Sequence, residues 1–240
     1  MEFALLFSFL AVGPANSGEV PTDVSIKTRF VDVAKFVPGL QVDLRYTGAY
    51  KLIGEPIDGY RSPRCLLTIE AVEALRPVQL ALLDRGYTLK VYDCYRPQSA
   101  VDHFVRWAKD LRDTRMKHIF YPHVAKRDLF HKGYIARKSS HSRGSTADLT
   151  IVPLPVPDQK PFTLGKPFRD NSIDMGTPFD YFDPLSHTEN PHVTPSRRTN
   201  RMLLKQLMEK AGFVNLEQEW WHYTLRDEPY PDTYFDFPVE

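Results

Sequence analysis

The chain has 240 residues, 42% of them hydrophobic and 25% charged, an ordinary globular composition sufficient for one large domain. Its 31 Lys and Arg nearly balance 30 Asp and Glu, leaving a net charge of +1. Composition therefore gives no reason to expect a nucleic acid or an anionic membrane as partner, and a small molecule or peptide is the expected ligand.

The first residues carry an apolar run, 3–12, too short to span a bilayer, followed by Gly13-Pro14 and the small stretch Ala15-Asn16-Ser17-Gly18. This reads as a secretory signal peptide over residues 1–18, ahead of a single domain over 19–240. An exported, periplasmic location follows from that reading. The start carries Glu2 and no Lys or Arg, which leaves a cytoplasmic location as the alternative.

Residues 20–60 read as short extended pieces, with Val31, Val33 and Phe36 in one and 42–46 in another, broken by Pro38-Gly39, Gly48, Gly54 and Asp58-Gly59. Thr68 then N-caps a helix whose stripe is Val72, Leu75, Val78 and Leu82, ending at Gly86, with a kink expected at Pro77. Residues 87–93 alternate as a strand that runs into Cys94-Tyr95-Arg96-Pro97, so a guanidinium stands just past a strand end. An amphipathic helix is expected over 98–112. The basic stretch 113–138 scatters His118, His123 and His131 at spacings that suit no shared metal, and they read as surface residues.

Ser139-Ser140-His141-Ser142-Arg143-Gly144-Ser145-Thr146-Ala147-Asp148 sets an imidazole and a carboxylate on either side of a glycine. Both are ligand types that catalytic zinc accepts, and the glycine lets the chain turn between them. Residues 149–152 continue as a strand, and 153–174 form a Pro-rich extended loop that is either a lid or a surface insertion. An aromatic and acidic turn follows over 175–183. A helix over 197–211 stops at Gly212. The chain closes with strands at 213–216 and within Glu219-Trp220-Trp221-His222-Tyr223-Thr224-Leu225. Residues three apart on a regular strand face opposite ways, so Glu219 is expected before the ladder or at a bulge, with His222 on the strand.

Cys65 and Cys94 are the only cysteines and lie in no CxxC or Cys/His cluster. They form one disulfide or remain two buried thiols; the sequence supports either.

Together, His141, Asp148 and His222 offer three ligands and leave a fourth position for water, the open arrangement of a catalytic zinc. Glu219 is then placed as general base and Arg96 as the stabiliser of a tetrahedral oxyanion. Each residue also has an ordinary structural role open to it, and a 2-His-1-carboxylate iron oxygenase is the rival metal reading, in which Glu219 has no task.

Ser-x-His-x-x-Gly-x-x-x-Asp over 139–148, with Glu219-Trp-Trp-His222, Tyr95-Arg96-Pro97 and the tail Leu225-Arg-Asp-Glu-Pro-Tyr-Pro, resembles the zinc D-alanyl-D-alanine dipeptidases of vancomycin resistance and peptidoglycan turnover. The resemblance covers most of the chain from about Asp43. It implies an α+β fold with a central antiparallel sheet and flanking helices, one Zn2+ per chain held by His141, Asp148 and His222, and catalysis by Glu219 and Arg96. It further implies Tyr46 and Asp180 near the substrate ammonium and Ser139 near its carboxylate. The expected reaction is hydrolysis of D-Ala-D-Ala to two D-alanine. The alternatives are a zinc D,D- or L,D-carboxypeptidase of longer wall peptides and a non-catalytic zinc-containing binding module. Loop 153–174, which looks longer than in the compact resistance enzymes, is the departure near the pocket.

Overall fold

The computed structural model describes residues 29–240, so the expected signal peptide at 1–18 lies outside the described residues. The scaffold is α+β. Its main sheet has five strands: β2 (Gln41–Val42), β4 (Tyr87–Asp93), β5 (Thr146–Pro153), β6 (Phe213–Asn215) and β7 (His222–Leu225), in the order β2-β4-β5-β7-β6. A separate two-stranded sheet pairs β1 (Phe30–Asp32) with β3 (Leu66–Thr68).

The central strand is β5, and its composition explains why. Leu149, Ile151 and Val152 are 0% exposed, as are Ala147 and Thr150, so the strand is covered on both faces and reads as a near-continuous apolar run. The expected antiparallel sheet is corrected in one respect: β2 pairs parallel to β4, with Gln41 opposite Lys90, while the other pairs of the main sheet are antiparallel. The connection from β2 to β4 passes through β3 and a long helix, the crossover that a parallel pair needs.

That helix, α2 (Ile69–Leu83), is capped by Thr68, whose hydroxyl accepts from Ala71 N at 3.4 Å. It continues through Pro77 as one helix, so the proline does not end it. The burial of Val72, Leu75, Val78 and Leu82 outweighs the cost of one lost backbone bond. Gln79 sits in the same stripe because it has work there: its Oε1 accepts from Leu89 N at 2.9 Å and its Nε2 donates to Thr88 Oγ1 at 2.9 Å, docking the helix on β4.

Two further expectations change. Val33 and Phe36 lie on a one-turn helix, α1 (Val33–Phe36), capped by Asp32 through Ala34 N, which overrides the extended pattern. The helix after Pro97, α3 (Gln98–Lys109), stops short of 112 because Asp110 leaves helical geometry and its carboxylate accepts from Arg112 N. Within 113–138 there are a short helix, α4 (Lys117–Phe120), and a 3-10 turn, Lys126–Asp128. The last long helix, α5 (Pro195–Lys210), packs against α2 and ends before Gly212 at φ 93°. No helix among the described residues is long and apolar enough to cross a membrane.

Past Pro153, which still belongs to β5, the loop through 174 carries no regular element and is tied down against the sheet. Lys90 Nζ donates to Asp170 Oδ1 and Asn171 Oδ1 at 2.6 Å each, Arg45 also bonds Asp170, and Phe162 and Phe168 pack on Tyr50.

Candidate metal centre

The strand register brings the chemistry together. Asp93 stands opposite Asp148 across β4 and β5, and Asp148 stands opposite His222 across β5 and β7, so the three side chains form a row over neighbouring strands. Directly opposed residues of antiparallel strands share a face. A bulge between Val91 and Asp93 gives β4 one extra residue and sets Asp93 in that row.

His141 comes from a 3-10 turn, Ser140–Arg143, immediately before β5. The turn is capped by Ser139, whose Oγ accepts from His141 N at 3.3 Å, and closed by Gly144 at φ 86°. A Cβ on Gly144 would also meet the Phe30 ring at 2.2 Å, so both backbone angle and space require glycine. Glu219 precedes β7 in a turn held by Glu219 N to Leu216 O at 3.0 Å and His222 N to Glu219 O at 3.2 Å. It therefore lies off the ladder while His222 opens the strand, as the spacing required.

Both imidazoles are oriented by their second nitrogen. His141 Nδ1 donates to the Cys94 carbonyl at 2.7 Å, which leaves Nε2 with its lone pair facing the cleft. His222 Nε2 lies 3.2 Å from Ser140 Oγ, which turns Nδ1 inward. His141 Nε2 is 3.2 Å from Asp148 Oδ2, His222 Nδ1 is 3.1 Å from Asp148 Oδ1, and the two nitrogens are 3.3 Å apart. Ligands about 2.0–2.1 Å from a tetrahedral ion stand about 3.3 Å from one another. Asp148 Oδ1 is buried yet accepts no well-formed hydrogen bond, an orphan that a cation would satisfy. His141, Asp148 and His222 form the group whose donor atoms, all within 4.8 Å of one another, suit a metal ion.

Electrostatics follow from burial and these neighbours. Burial alone would raise Asp148, but the His141 and His222 imidazoles outweigh it and hold the carboxyl well below its ordinary range. Burial lowers His141. His222 is raised because the Asp148 carboxylate outweighs its burial. Glu219, 3.7 Å from His222 Nδ1, is pushed up to about 7 by burial, against the pull of His222. A carboxylate with that affinity for protons is matched to accepting and returning one near neutral pH.

Arg96 leaves the end of β4 and lies between two carboxylates. Its Nε donates to Asp93 Oδ2 at 2.9 Å, its Nη2 stands 3.6 Å from Asp148 Oδ2, and its guanidinium lies over the Tyr46 and Phe104 rings. Tyr46 OH donates to Asp180 Oδ2 at 3.0 Å. Asp180 has φ 60°, the sole positive φ on a non-glycine residue among the described residues, and its carboxyl is raised well above the ordinary range by burial and by Asp148. The loop bearing it is stapled by Arg201, 0% exposed, which donates to the carbonyls of Met175, Leu185 and His187.

These groups line one cleft of about 370 Å³ that includes Tyr46, Arg96, Ser139, Asp180, Glu219 and the three prospective ligands. No residue of 153–174 lines it. Cys65 and Cys94 are joined by a disulfide, with Cα atoms 5.3 Å apart, directly behind the carbonyl that orients His141. The sequence reading assigned no role to Asp93, since an acid at the end of a strand carries no motif of its own.

Two imidazoles and one carboxylate around an open position, with a carboxyl near neutral pKa and a guanidinium at its edge, are the equipment of a hydrolytic metalloenzyme. The comparisons narrow the class. The family model for Peptidase_M15, described as D-ala-D-ala dipeptidase, matches residues 26–240, and the chain belongs to that family. It is 39% identical over 210 residues to the D-alanyl-D-alanine dipeptidase of Enterococcus faecalis, covering 88% of this chain and 98% of that one. The same identity and coverage hold for the D-alanyl-D-alanine dipeptidase of Streptomyces coelicolor. The Escherichia coli enzyme of that name is 32% identical, over 84% of this chain and 87% of that one.

Proposed function

We propose that this chain hydrolyses D-Ala-D-Ala to two D-alanine, using one zinc ion held by His141 Nε2, His222 Nδ1 and the Asp148 carboxylate. The observation that carries this reading is the convergence of those donors within 4.8 Å, with Glu219 3.7 Å from His222. Zinc in such a site supplies acidified water and a polarised carbonyl. The dipeptidase relatives and the family support the choice of substrate.

The side chains then divide the work. As water adds to the scissile carbonyl, Glu219 accepts the proton that the water loses. It delivers that proton to the leaving nitrogen as the C–N bond breaks. Arg96 donates to the carbonyl oxygen as negative charge develops on it. Asp180 and Tyr46 receive the substrate ammonium, and Ser139 Oγ faces its carboxylate. A free dipeptide has little apolar area, so selectivity rests on pairing its two charged ends.

The Cys65–Cys94 bond supports an exported setting, in which the substrate is D-Ala-D-Ala released from peptidoglycan. A substrate panel tests the function: efficient release of D-alanine from D-Ala-D-Ala with little from a pentapeptide ending in the same residues is expected. Comparable rates on both would replace the dipeptidase by a carboxypeptidase.

A further inference from the structure

Behind Arg96 lies a carboxylate that the mechanism above does not use. Asp93 is 0% exposed, and both of its oxygens are engaged: Oδ2 accepts from Arg96 Nε at 2.9 Å and Oδ1 from Tyr60 OH at 2.5 Å. A carboxylate is buried this completely only when it is paired and hydrogen-bonded. Both oxygens are bonded within the protein, and Asp93 is not part of the convergent donor group of His141, Asp148 and His222, although it stands in the same strand row as Asp148 and His222.

We infer that Asp93, braced by Tyr60, is the positioning residue that fixes the Arg96 guanidinium for transition-state stabilisation. This rests on the proposed hydrolysis and deepens it. Arg96 has two carboxylates within reach, Asp93 through Nε and Asp148 at 3.6 Å from Nη2. A guanidinium released from Asp93 would turn toward Asp148, draw on the oxygens meant for the metal and leave the place where the oxyanion forms. Held by its Nε edge, it keeps Nη2 facing the cleft beside Tyr46 OH at 3.4 Å. Tyr60 is in turn fixed from the far end of the chain: Val239 N donates to Gly59 O, and Val239 O accepts from Arg61 N, each at 2.9 Å. The bulge before Asp93 is the local device that turns its side chain into this position.

The test uses Asp93→Asn and Tyr60→Phe, each alone and combined with Arg96→Ala, in the full chain loaded with zinc. Readouts are kcat and KM for D-Ala-D-Ala, zinc content, and calorimetric binding of a phosphinate analogue of the dipeptide that mimics the tetrahedral state. Asp93→Asn is expected to lower kcat about 10–100-fold, with KM little changed, and to weaken the phosphinate by a similar factor. Tyr60→Phe, which removes only a hydroxyl, is expected to act in the same direction by roughly 3–10-fold and keeps the test decisive if the first variant folds poorly. With Arg96→Ala present, neither change is expected to lower kcat further. Equal losses in both backgrounds, or no loss in either, would overturn the assignment. A wild-type protein inactive on D-Ala-D-Ala would overturn the proposed hydrolysis and this inference together, whereas an active wild type with silent or additive variants overturns this one alone.

Discussion

Replacing Glu219 by Gln removes the proposed proton acceptor while leaving its surroundings in place. The turn that carries it is held by backbone bonds, Glu219 N to Leu216 O and His222 N to Glu219 O, and by Asn215 Nδ2 donating to Glu219 O at 3.1 Å, none of which uses the carboxylate. Nor does the substitution remove a prospective ligand, since the metal group is His141, Asp148 and His222. The protein is therefore expected to fold and to bind zinc. General-base catalysis is worth about 10²–10⁴ in rate, or about 2.7–5.5 kcal/mol of barrier. Glu219→Gln should lower kcat for D-Ala-D-Ala by at least about 10², with KM changed far less. The assay is D-alanine release under saturating substrate, with zinc content measured on the same preparation. Turnover within about tenfold of wild type, with zinc bound, would refute the role of Glu219.

Other outcomes follow from the same geometry. Ser140→Ala takes away the hydroxyl 3.2 Å from His222 Nε2 that turns Nδ1 inward, and should weaken zinc about 10–100-fold in a chelator competition; an unchanged affinity would count against that orientation. In the metal-free protein Glu219 titrates at about 7 against an ordinary 4.5, so the native state retains a proton that the unfolded chain has lost between those values. Its contribution is complete below about pH 4.5 and is lost as pH rises through about 7, a decline of about 3 kcal/mol. Denaturation of the metal-free Glu219→Gln variant across that range should show a flatter decline than wild type, and an identical slope would refute the shift. Replacing Cys65 and Cys94 by Ala opens a covalent link between residues 29 apart and should cost about 3–4 kcal/mol of stability in a denaturant titration; a change below about 1 kcal/mol would contradict it.

The elements with strong periodicity were legible before the structure: the stripe of α2, the alternation of β4, the apolar run of β5 and the glycine stop after α5. Pairing direction was not, because alternation in a two-residue strand such as β2 is the same whether its neighbour runs parallel or antiparallel. That the helix would run on through Pro77 was not legible either, because proline's cost is local whereas the burial that offsets it depends on the sheet beneath the helix. At the site, the residues that bear recognisable chemistry, His141, Asp148, Glu219 and His222, stood in short motifs whose spacing already separated the strand residue from the turn residue. The supporting groups did not. Tyr60 and Asp93 are 33 residues apart, and Arg201 reaches carbonyls 14 to 26 residues away, so their roles exist only once the chain has folded. Each sits in sequence as an ordinary polar residue, and only burial reveals the task.

The most direct test is metal analysis of the purified protein paired with a D-Ala-D-Ala hydrolysis assay before and after chelation. One zinc per chain, D-alanine release that disappears with the metal and its return on adding zinc are the predicted results. A protein that neither binds zinc nor releases D-alanine would contradict the account.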